Sequence, residues 1–215
     1  VNQLREVSII DLLGRNEVQL DENLIQEYIH GKRVLITGAG GSIGSELVRQ
    51  CLKYEPALLV MLDNSELNLF QIEREILGKP TNVLTKPLLS NIRDLDILGK
   101  VFNEYEPQVV FHAAAYKHVA MQEAFPWEAI KTNVHGTTNL VKLSLDHNVE
   151  KFVLVSTDKA VKPINVMGAT KRLAELICQG ANSSYSTRFM AVRFGNVLGS
   201  SGSVIPIFQE QIRAG

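Results

Sequence analysis

The sequence predicts an α/β fold built on a doubly wound parallel sheet. Three observations lead to this prediction: strand-like runs are almost continuously apolar, helix-like segments separate them, and a glycine-rich turn follows the first strand. Continuous apolar strands are typical of parallel sheets that helices cover on both faces. Alternation of strand and helix through at least five units favours a doubly wound arrangement over separate helical and sheet domains.

The predicted elements begin with a strand over 33–38, RVLITG, which is apolar, rich in β-branched residues and ended by glycine. Residues 42–54 follow with the apolar spacing of an amphipathic helix. The first 30 residues predict a helical lead-in on the edge of a domain that spans 31–215. Further strands are predicted at 57–63, 83–89, 109–115, 152–156 and 189–195, and further helices at 65–77, 94–104, 127–147 and 163–180.

Composition and charge exclude several classes of protein. With 45% hydrophobic residues, 21% charged residues and a net charge of −1, the chain is an ordinary globular one without the basic surface of a nucleic-acid-binding protein. The five histidines show no paired ligand spacing, so we expect no metal site. Cys51 and Cys178 are far apart in helix-like segments, which indicates reduced thiols in an intracellular protein. The start at Val1 and the end at IRAG suggest a piece of a longer protein.

The turn TGAGGSIGSE joins the first strand to the helix that follows it. Its glycines, Gly38, Gly41 and Gly44, allow a tight turn and a close approach of the backbone to a pyrophosphate. The helix start at Ser42 and Ile43 offers N–H groups to that anion. A glycine triplet alone is equally compatible with a structural turn. Its place between a strand and a helix, with an acidic residue ending the next strand, predicts dinucleotide binding.

Asp63 is that acidic residue, and it lies about 20 residues after the last glycine of the turn. A carboxylate there accepts hydrogen bonds from the adenosine ribose and repels a 2′-phosphate, so Asp63 favours NAD over NADP. The neighbouring Asn64 is a further cofactor-binding candidate. The alternative is that Asp63 only caps the helix starting near Ser65. After the third strand, Asn91 or Asp94 is expected to reach the adenine, and Asn91 and Ile92 are the cofactor-binding candidates of this segment.

Four further motifs carry a resemblance to a known family. They are FHAAAYKHV at 111–119, NVHGT at 133–137, STDKAVKPINVMGATK at 156–171 and RFGNVLGSSGSVIP at 193–206. With the TGxxGxxG turn, they make most of the chain similar to the extended short-chain dehydrogenase/reductase family. Within it, the chain resembles the polysaccharide-biosynthesis branch of UDP-N-acetylglucosamine 4,6-dehydratases. REVSIIDLLGR near the start resembles the segment leading into the catalytic domain of the long, membrane-associated members.

The resemblance implies a Rossmann-type domain with tightly bound NAD and a lyase reaction on a UDP-sugar. In that reaction carbon 4 of the sugar is oxidised, water is eliminated across carbons 5 and 6, and carbon 6 is then reduced. The cofactor is thereby regenerated on the enzyme. The product is a UDP-4-keto-6-deoxy sugar for surface polysaccharide or glycan biosynthesis, and we expect retention of configuration at carbon 5.

Residues 156–171 depart from the commonest pattern of the wider family. Most short-chain dehydrogenases carry Tyr-x-x-x-Lys, in which the lysine lowers the pKa of the tyrosine. Here Met167 stands four residues before Lys171. The same exchange occurs in the long subgroup of these dehydratases, so the resemblance leaves Lys171 to bind the nicotinamide ribose. Other groups must then move the protons.

The neighbouring residues of the same motif are the candidates for that proton chemistry. Thr157, with a water relay, would deprotonate the hydroxyl on carbon 4. Lys159, if burial and the charge of Lys171 lower its pKa, would abstract the proton on carbon 5. Asp158, if desolvation raises its pKa, would protonate the leaving hydroxyl. The alternative is that Asp158 and Lys159 form an ordinary surface ion pair at a strand end.

The remaining site candidates follow the fourth and sixth strands. Ala113, Ala114 and Ala115 would let the cofactor pass close to the backbone; the alternative is a core alanine run. The resemblance places the UDP-binding segment near the end of the chain, so that 194–215 begins the substrate-binding part. The substrate-binding candidates are Lys117, His118, Asn133, Asn196, Ser203 and Val204, with Asn133 supporting the backbone of the site.

Rival functions and partners stay open at the level of sequence. A UDP-sugar 4-epimerase or an inverting dehydratase of the same branch is the near alternative. A non-catalytic NAD-binding sensor or scaffold is the alternative from another class. The resemblance implies a homo-oligomer that pairs through helices near 97–104 and 127–147. It also implies a cytoplasmic domain whose parent is anchored in the bacterial inner membrane only through segments outside this chain.

Overall fold

A single sheet of six parallel strands organises the chain. The computed structural model describes residues 21–182 and 187–197, and within them the strand order is β3-β2-β1-β4-β5-β6. The strands are β1 Arg33–Thr37, β2 Leu58–Asp63, β3 Leu84–Leu89, β4 Val109–His112, β5 Lys151–Thr157 and β6 Arg188–Phe194. The strand order reverses between β1 and β4, and ligands bind such sheets at the carboxyl ends of the strands beside that point. The predicted doubly wound parallel sheet is confirmed.

Helices cover both faces of this sheet. The α-helices are α1 Glu22–Ile29, α2 Ser42–Lys53, α3 Glu66–Leu77, α4 Leu95–Tyr105, α5 Val119–Ala124, α6 Pro126–Ala129, α7 Thr137–Asp146 and α8 Val166–Ala181. A π-helix over Ile130–Gly136 and a 3₁₀ turn over Asp158–Ala160 complete the set. In the predicted lead-in, α1 is helical, and residues 1–20 lie outside the described part. Across 21–182 and 187–197, no helix combines the length and apolar character needed to cross a bilayer.

Two hydrophobic cores, one on each face, hold the layers together. Leu35 and Phe152 belong to the core beneath α4, α7 and α8, whereas Val34 and Ile36 belong to the core beneath α1, α2 and α3. Successive strand residues point to opposite faces, and in the central strands β1 and β2 nearly every residue is buried. This explains why these two segments of the sequence are continuously apolar instead of alternating.

Three predicted elements differ from the structure by more than one or two residues. The strand predicted at 109–115 ends at His112. Four residues later, the N–H of Tyr116 is bonded by the Asn133 side chain and not by a neighbouring strand. The helix predicted at 127–147 is divided by the π-helix, and α5 precedes it. The helix predicted from 163 begins at Val166, because the Asn165 side chain accepts a hydrogen bond from the N–H of Gly168 at 2.7 Å and caps it there.

Candidate active site

The glycine turn lies against the loop that follows β4. Gly38 has φ +69°, and a Cβ on it would lie 2.6 Å from the backbone nitrogen of Ala114. Only glycine therefore fits this contact without strain. After the turn, α2 begins at Ser42 with Gly41 as its N-cap and no side-chain cap. The positive end of the helix is thus directed to the cleft beside Gly38, where an anion would be stabilised.

Asp63 fixes two turns of the backbone at once. The carboxylate is buried, and its oxygens accept hydrogen bonds from the N–H groups of Gly40 at 2.8 Å and Ser65 at 2.9 Å. Ser65, and not Asp63, caps α3 by accepting a bond from the N–H of Asn68. A carboxylate has about four acceptor positions, so two remain to accept hydrogen bonds from ribose hydroxyls.

A cleft between these turns brings the predicted cofactor residues together. It is bordered by the glycine turn, the end of β2, the residues after β3 and the alanines after β4. Its lining includes Gly38, Gly41, Asp63, Asn64, Asn91, Ile92, Ala113, Ala114, Ala115 and Tyr116. Ser42, Ile43 and Gly44 form the first turn of α2 next to it. The close backbone approach at Gly38, the uncapped helix and the remaining acceptor capacity of Asp63 all fit a dinucleotide.

Asn133 holds the loop after β4 in place. It lies in the π-helix with no exposed surface. Its Oδ1 accepts a hydrogen bond from the N–H of Tyr116 at 2.9 Å, and its Nδ2 donates to the Tyr116 carbonyl at 3.0 Å and to Thr170 Oγ1 at 3.1 Å. π-helical turns are frequent at functional sites. Here the amide ties the loop after β4 to α8.

A buried histidine links the ends of β1 and β4 to the same region. Thr137 Oγ1 donates to the Asn133 carbonyl, so its interaction with His112 Nε2 at 2.9 Å requires the histidine to be the donor. His112 Nδ1 then accepts from Thr37 Oγ1 at 2.8 Å. Burial, with a smaller contribution from the charge of Lys171, lowers the pKa of His112 to about 3. The imidazole is therefore a neutral, structural link.

The predicted proton-transfer residues form a compact turn after β5. Asp158 Oδ1 accepts hydrogen bonds from Thr157 Oγ1 at 2.9 Å and from Lys159 Nζ at 3.2 Å. Lys159 Nζ also donates to Asn196 Oδ1 at 3.3 Å, which connects the turn to the end of β6. The side chains of Asp158 and Lys159 are 56% and 36% exposed. This turn, Thr157 to Lys159, is given the name catalytic turn after the role that the sequence predicts for it.

One expectation for the catalytic turn is corrected. We expected desolvation to raise the pKa of Asp158. Instead, the hydrogen bond from Thr157, followed by the one from Lys159, holds the pKa of that carboxyl below its usual value. The reason is that Asp158 is largely exposed while two donors stabilise its charged form.

Met167 and Lys171 lie beside the catalytic turn on the first turns of α8. Both are buried, with Met167 only 4% exposed. Between them, Gly168 lies so close to the catalytic turn that a Cβ on it would be 2.5 Å from the Lys159 carbonyl oxygen. Burial lowers the pKa of Lys171 to about 8, against the opposing effects of Cys178 and Glu175. Lys171 thus keeps a partial positive charge at neutral to mildly alkaline pH.

The other substrate candidates differ in their placement. Lys117 and His118 are exposed in the loop that follows β4, and His118 is the residue before α5. Asn196 contacts Lys159. Ser203 and Val204 lie outside the described residues. In the described part of the chain, no group of three or more His, Cys, Asp or Glu side chains is placed to hold a metal ion.

Sequence reasoning missed a second polar group behind the catalytic turn. Glu175 on α8 is 5% exposed and contacts Ser156, Arg172 and Arg193. A carboxylate one helical turn beyond Lys171, on the apolar face of a helix, was the available signal. Of these partners, Ser156 and Arg193 lie 19 and 18 residues away in the sequence, so the pattern of α8 alone could not identify them.

The sequence matches a known family over most of its length. The family is described as "Polysaccharide biosynthesis protein", and the match covers residues 34–215. Capsular polysaccharide biosynthesis protein CapD from Staphylococcus aureus is 47% identical over all of this chain, which covers 36% of that protein. A UDP-N-acetylglucosamine 4,6-dehydratase (inverting) from Campylobacter jejuni is 35% identical over 86% of this chain and 55% of its own length. A UDP-glucose 4-epimerase from Rickettsia rickettsii is 36% identical, with 86% and 54% covered.

Solved structures show the same architecture. Pen from Bacillus thuringiensis has a TM-score of 0.80 and 38% identity, with 86% of this chain and 56% of that chain covered. DesIV, a dTDP-glucose 4,6-dehydratase from Streptomyces venezuelae with NAD and TYD bound, has a TM-score of 0.71 and 25% identity, with 85% and 63% covered. The chain spans between about a third and just over half of the length of the curated relatives described above.

Proposed function

We propose, from the premise that this chain belongs to the polysaccharide biosynthesis protein family, that it carries the NAD-binding and catalytic part of a UDP-N-acetylglucosamine 4,6-dehydratase. The family relationship supports an enzyme that acts on nucleotide-sugars. The choice of substrate, the reaction and the use of NAD are the proposal. The observation that carries it is the contact between the catalytic turn and the Met167–Lys171 segment, with an acid and a base side by side.

NAD is the cofactor that the cleft fits best. Asp63 directs a carboxylate to the place where the adenosine ribose would lie, and a 2′-phosphate there would be repelled. A solved relative of this fold contains NAD, and when bound, NAD would supply the oxidation at carbon 4 and the reduction at carbon 6. We propose that Lys171 binds the nicotinamide ribose and that Ala113 to Ala115 border the cofactor.

The Asp158–Lys159 ion pair supports an elimination. Removing the carbon 5 proton needs a neutral amine, and releasing the carbon 6 hydroxyl needs a protonated carboxyl. Both states arise from the ion pair when one proton moves from Lys159 Nζ to Asp158 Oδ1, atoms 3.2 Å apart. Water stabilises the charged pair, whereas its exclusion by a bound sugar favours the neutral one. Substrate binding would thus prepare the acid and the base together.

In this proposal Thr157 deprotonates the hydroxyl on carbon 4. Thr157 Oγ1 donates to Asp158 Oδ1 at 2.9 Å, and Asp158 in the neutral pair already holds the proton from Lys159. Thr157 would therefore pass the carbon 4 proton through a water relay to solvent, and Lys159 would regain a proton from solvent after it returns the carbon 5 proton. The thioether of Met167 cannot exchange a proton, and it fills the position of the usual tyrosine with buried apolar surface. Tyrosine-mediated proton transfer is therefore replaced by transfer through the catalytic turn.

The first experiment is turnover of UDP-N-acetylglucosamine by the full-length protein in deuterated water without added cofactor, followed by NMR. We expect a UDP-4-keto-6-deoxy sugar with deuterium at carbon 5, and retained configuration there. Inverted configuration would place the protein with the inverting dehydratases. A 4-epimer without deuterium at carbon 5 would support the epimerase alternative, which the Rickettsia relative favours. Bound NAD without any product would support a sensor or scaffold.

Two features of the whole protein also belong to this proposal. Leu95 and Ile97 on α4 are partly exposed apolar side chains, which supports pairing of two copies through α4 and the helices after Pro126.

The resemblance of REVSIIDLLGR to long family members supports anchoring of the parent protein in the inner membrane through segments outside this chain, with the catalytic part in the cytoplasm. Residues 194–215 would begin the part that binds the UDP-sugar.

A further inference from the structure

The carboxylate of Glu175 joins three elements behind the site. Oε1 accepts hydrogen bonds from Ser156 Oγ at 2.6 Å and from Arg193 Nε at 2.8 Å. Oε2 accepts from Arg193 Nη2 at 2.6 Å and from Arg172 Nη1 at 3.1 Å. Arg193 on β6 therefore binds the carboxylate through two parallel hydrogen bonds, an arrangement that fixes the orientation of the carboxylate and stabilises its negative charge.

Each partner of Glu175 lies next to a group of the candidate site. Ser156 immediately precedes Thr157 in β5, and Glu175 is one helical turn beyond Lys171 on α8. Arg193 pairs in register with Ser156 on the neighbouring strand and lies three residues before Asn196. One buried carboxylate thus ties β5, α8 and β6 together at the points where their site residues begin.

We propose that Glu175, with Ser156 and Arg193, is a positioning residue that holds the Lys171-bearing helix in register with the catalytic turn. This inference rests on the proposed function: its turnover readout needs the proposed substrate and reaction, whereas its binding readout needs only the proposed use of NAD and the contact of Lys171 with it. Positioning errors of about 1 Å can cost about 100-fold in rate even when the changed residue lies away from the chemistry. A carboxylate that joins three elements is placed to prevent such an error.

Electrostatics provide a second signature of the same residue. The titratable groups whose charge acts on Lys171 are Glu175 and Cys178 on α8, and Lys171 in turn acts on His112 on β4. His112 is neutral, and burial raises the pKa of Cys178 to about 12, so Glu175 is the charged one at neutral pH. Its charge raises the pKa of Lys171 against the effect of burial. Removing that charge should make Lys171 lose its proton at lower pH.

A second arginine–glutamate pair in the chain provides a matched control. Arg49 on α2 grips Glu75 on α3 with two bonds of 2.8 Å each, and the pKa of Glu75 is lowered to about 2, as is that of Glu175. These helices lie on the opposite face of the sheet from α8. Replacing Glu75 removes the same kind of interaction without touching the site.

The experiment compares Glu175→Gln with Glu75→Gln in the full-length protein. NADH affinity is measured by fluorescence from pH 6 to 10, together with kcat and KM for UDP-N-acetylglucosamine and the thermal midpoint. Wild-type NADH affinity should fall as pH rises through about 8, where Lys171 loses its charge. In Glu175→Gln the loss of NADH affinity should occur about one pH unit lower than in wild type. The kcat of this variant should drop about 10- to 100-fold, with KM changed less than threefold. Glu75→Gln should change only the thermal midpoint.

The outcomes separate the two proposals. If Glu175→Gln matches Glu75→Gln in pH dependence and in turnover per folded molecule, the positioning role is overturned. If wild type binds NADH but leaves the sugar unchanged, while Glu175→Gln shifts the pH dependence, the proposed substrate fails and the role of Glu175 stands. Should Glu175→Gln not fold, Ser156→Ala removes one bond and keeps the charge pair. A kcat equal to wild type in Ser156→Ala would then overturn the proposal.

Discussion

The cofactor cleft and the catalytic turn lie at the same edge of the sheet but differ in how their polar groups are held. In the cleft, the Asp63 carboxylate and the Asn133 amide are buried and bonded mainly to backbone atoms. In the catalytic turn, Asp158 is more than half exposed, and its two bonds come from the residues on either side of it. The cleft is thus preorganised, whereas the protonation states of the catalytic turn depend on what covers it.

The largest effect should come from the catalytic turn itself. Lys159→Ala removes the proposed carbon 5 base and one partner of the ion pair, so turnover should fall by about 10²–10⁴-fold. Because the cleft holds its own polar groups, NAD should stay bound. Turnover is measured by NMR and bound NAD by absorbance after gel filtration. Lys162→Ala, an exposed lysine three residues on, is the control, and turnover near wild type in Lys159→Ala would remove the base assignment.

A smaller effect is expected in the cleft from Asp63→Asn. The amide keeps an acceptor for one backbone N–H but presents a donor to the other and loses the charge. NAD affinity should fall by about 10- to 100-fold, since a hydrogen bond to a charged group contributes about 1.5–3 kcal/mol. NADP should lose less, because the repulsion of its 2′-phosphate disappears. Titration with each cofactor measures this, and an unchanged NAD to NADP ratio would show that Asp63 only stabilises the turns.

The contrast between the locally fixed cleft and the more exposed catalytic turn also explains which features of the fold and site could be predicted from the sequence. The glycine turn and Asp63 were identified because their geometry is set locally, by a strand, a tight turn and a helix start. Glu175 was missed because its importance arises only when Ser156 and Arg193 meet it in the fold. The prediction that the pKa of Asp158 is raised was wrong, since it assumed a cover that the described residues do not provide. The π-helix within 127–147 was missed because apolar periodicity does not distinguish it from an α-helix, and the bonds of Asn133 to Tyr116 and Thr170 arise only in the fold.

The effect of Asn133 on NAD binding can be separated from its effect on the stability of the fold. Asn133→Ala leaves the N–H and carbonyl of Tyr116 without their partner, which should cost about 1–3 kcal/mol of unfolding free energy and weaken NAD binding. Asn182 bonds the N–H and carbonyl of Phe189 in the same way, both at 2.8 Å, but away from the cleft. Asn182→Ala should therefore lower stability alone. Urea unfolding and NAD titration of both variants test this, and equal NAD affinities would contradict preorganisation by Asn133.

The smallest effect concerns acid stability and comes from His112 at the edge of the preorganised cleft. Its pKa is about 3 in the fold and about 6.5 when unfolded. Between these values the unfolded chain binds the extra proton, so stability is complete above pH 6.5 and declines by up to about 1.4 kcal/mol per pH unit below it. His112→Asn should reduce that slope in urea unfolding between pH 7 and 5.5, whereas His30→Gln, an exposed histidine, should not. Equal slopes for wild type and His112→Asn would mean that the imidazole can take up a proton without breaking its bonds to Thr37 and Thr137. The cleft would then be less rigidly held than the hydrogen bonds of Asp63 and Asn133 imply.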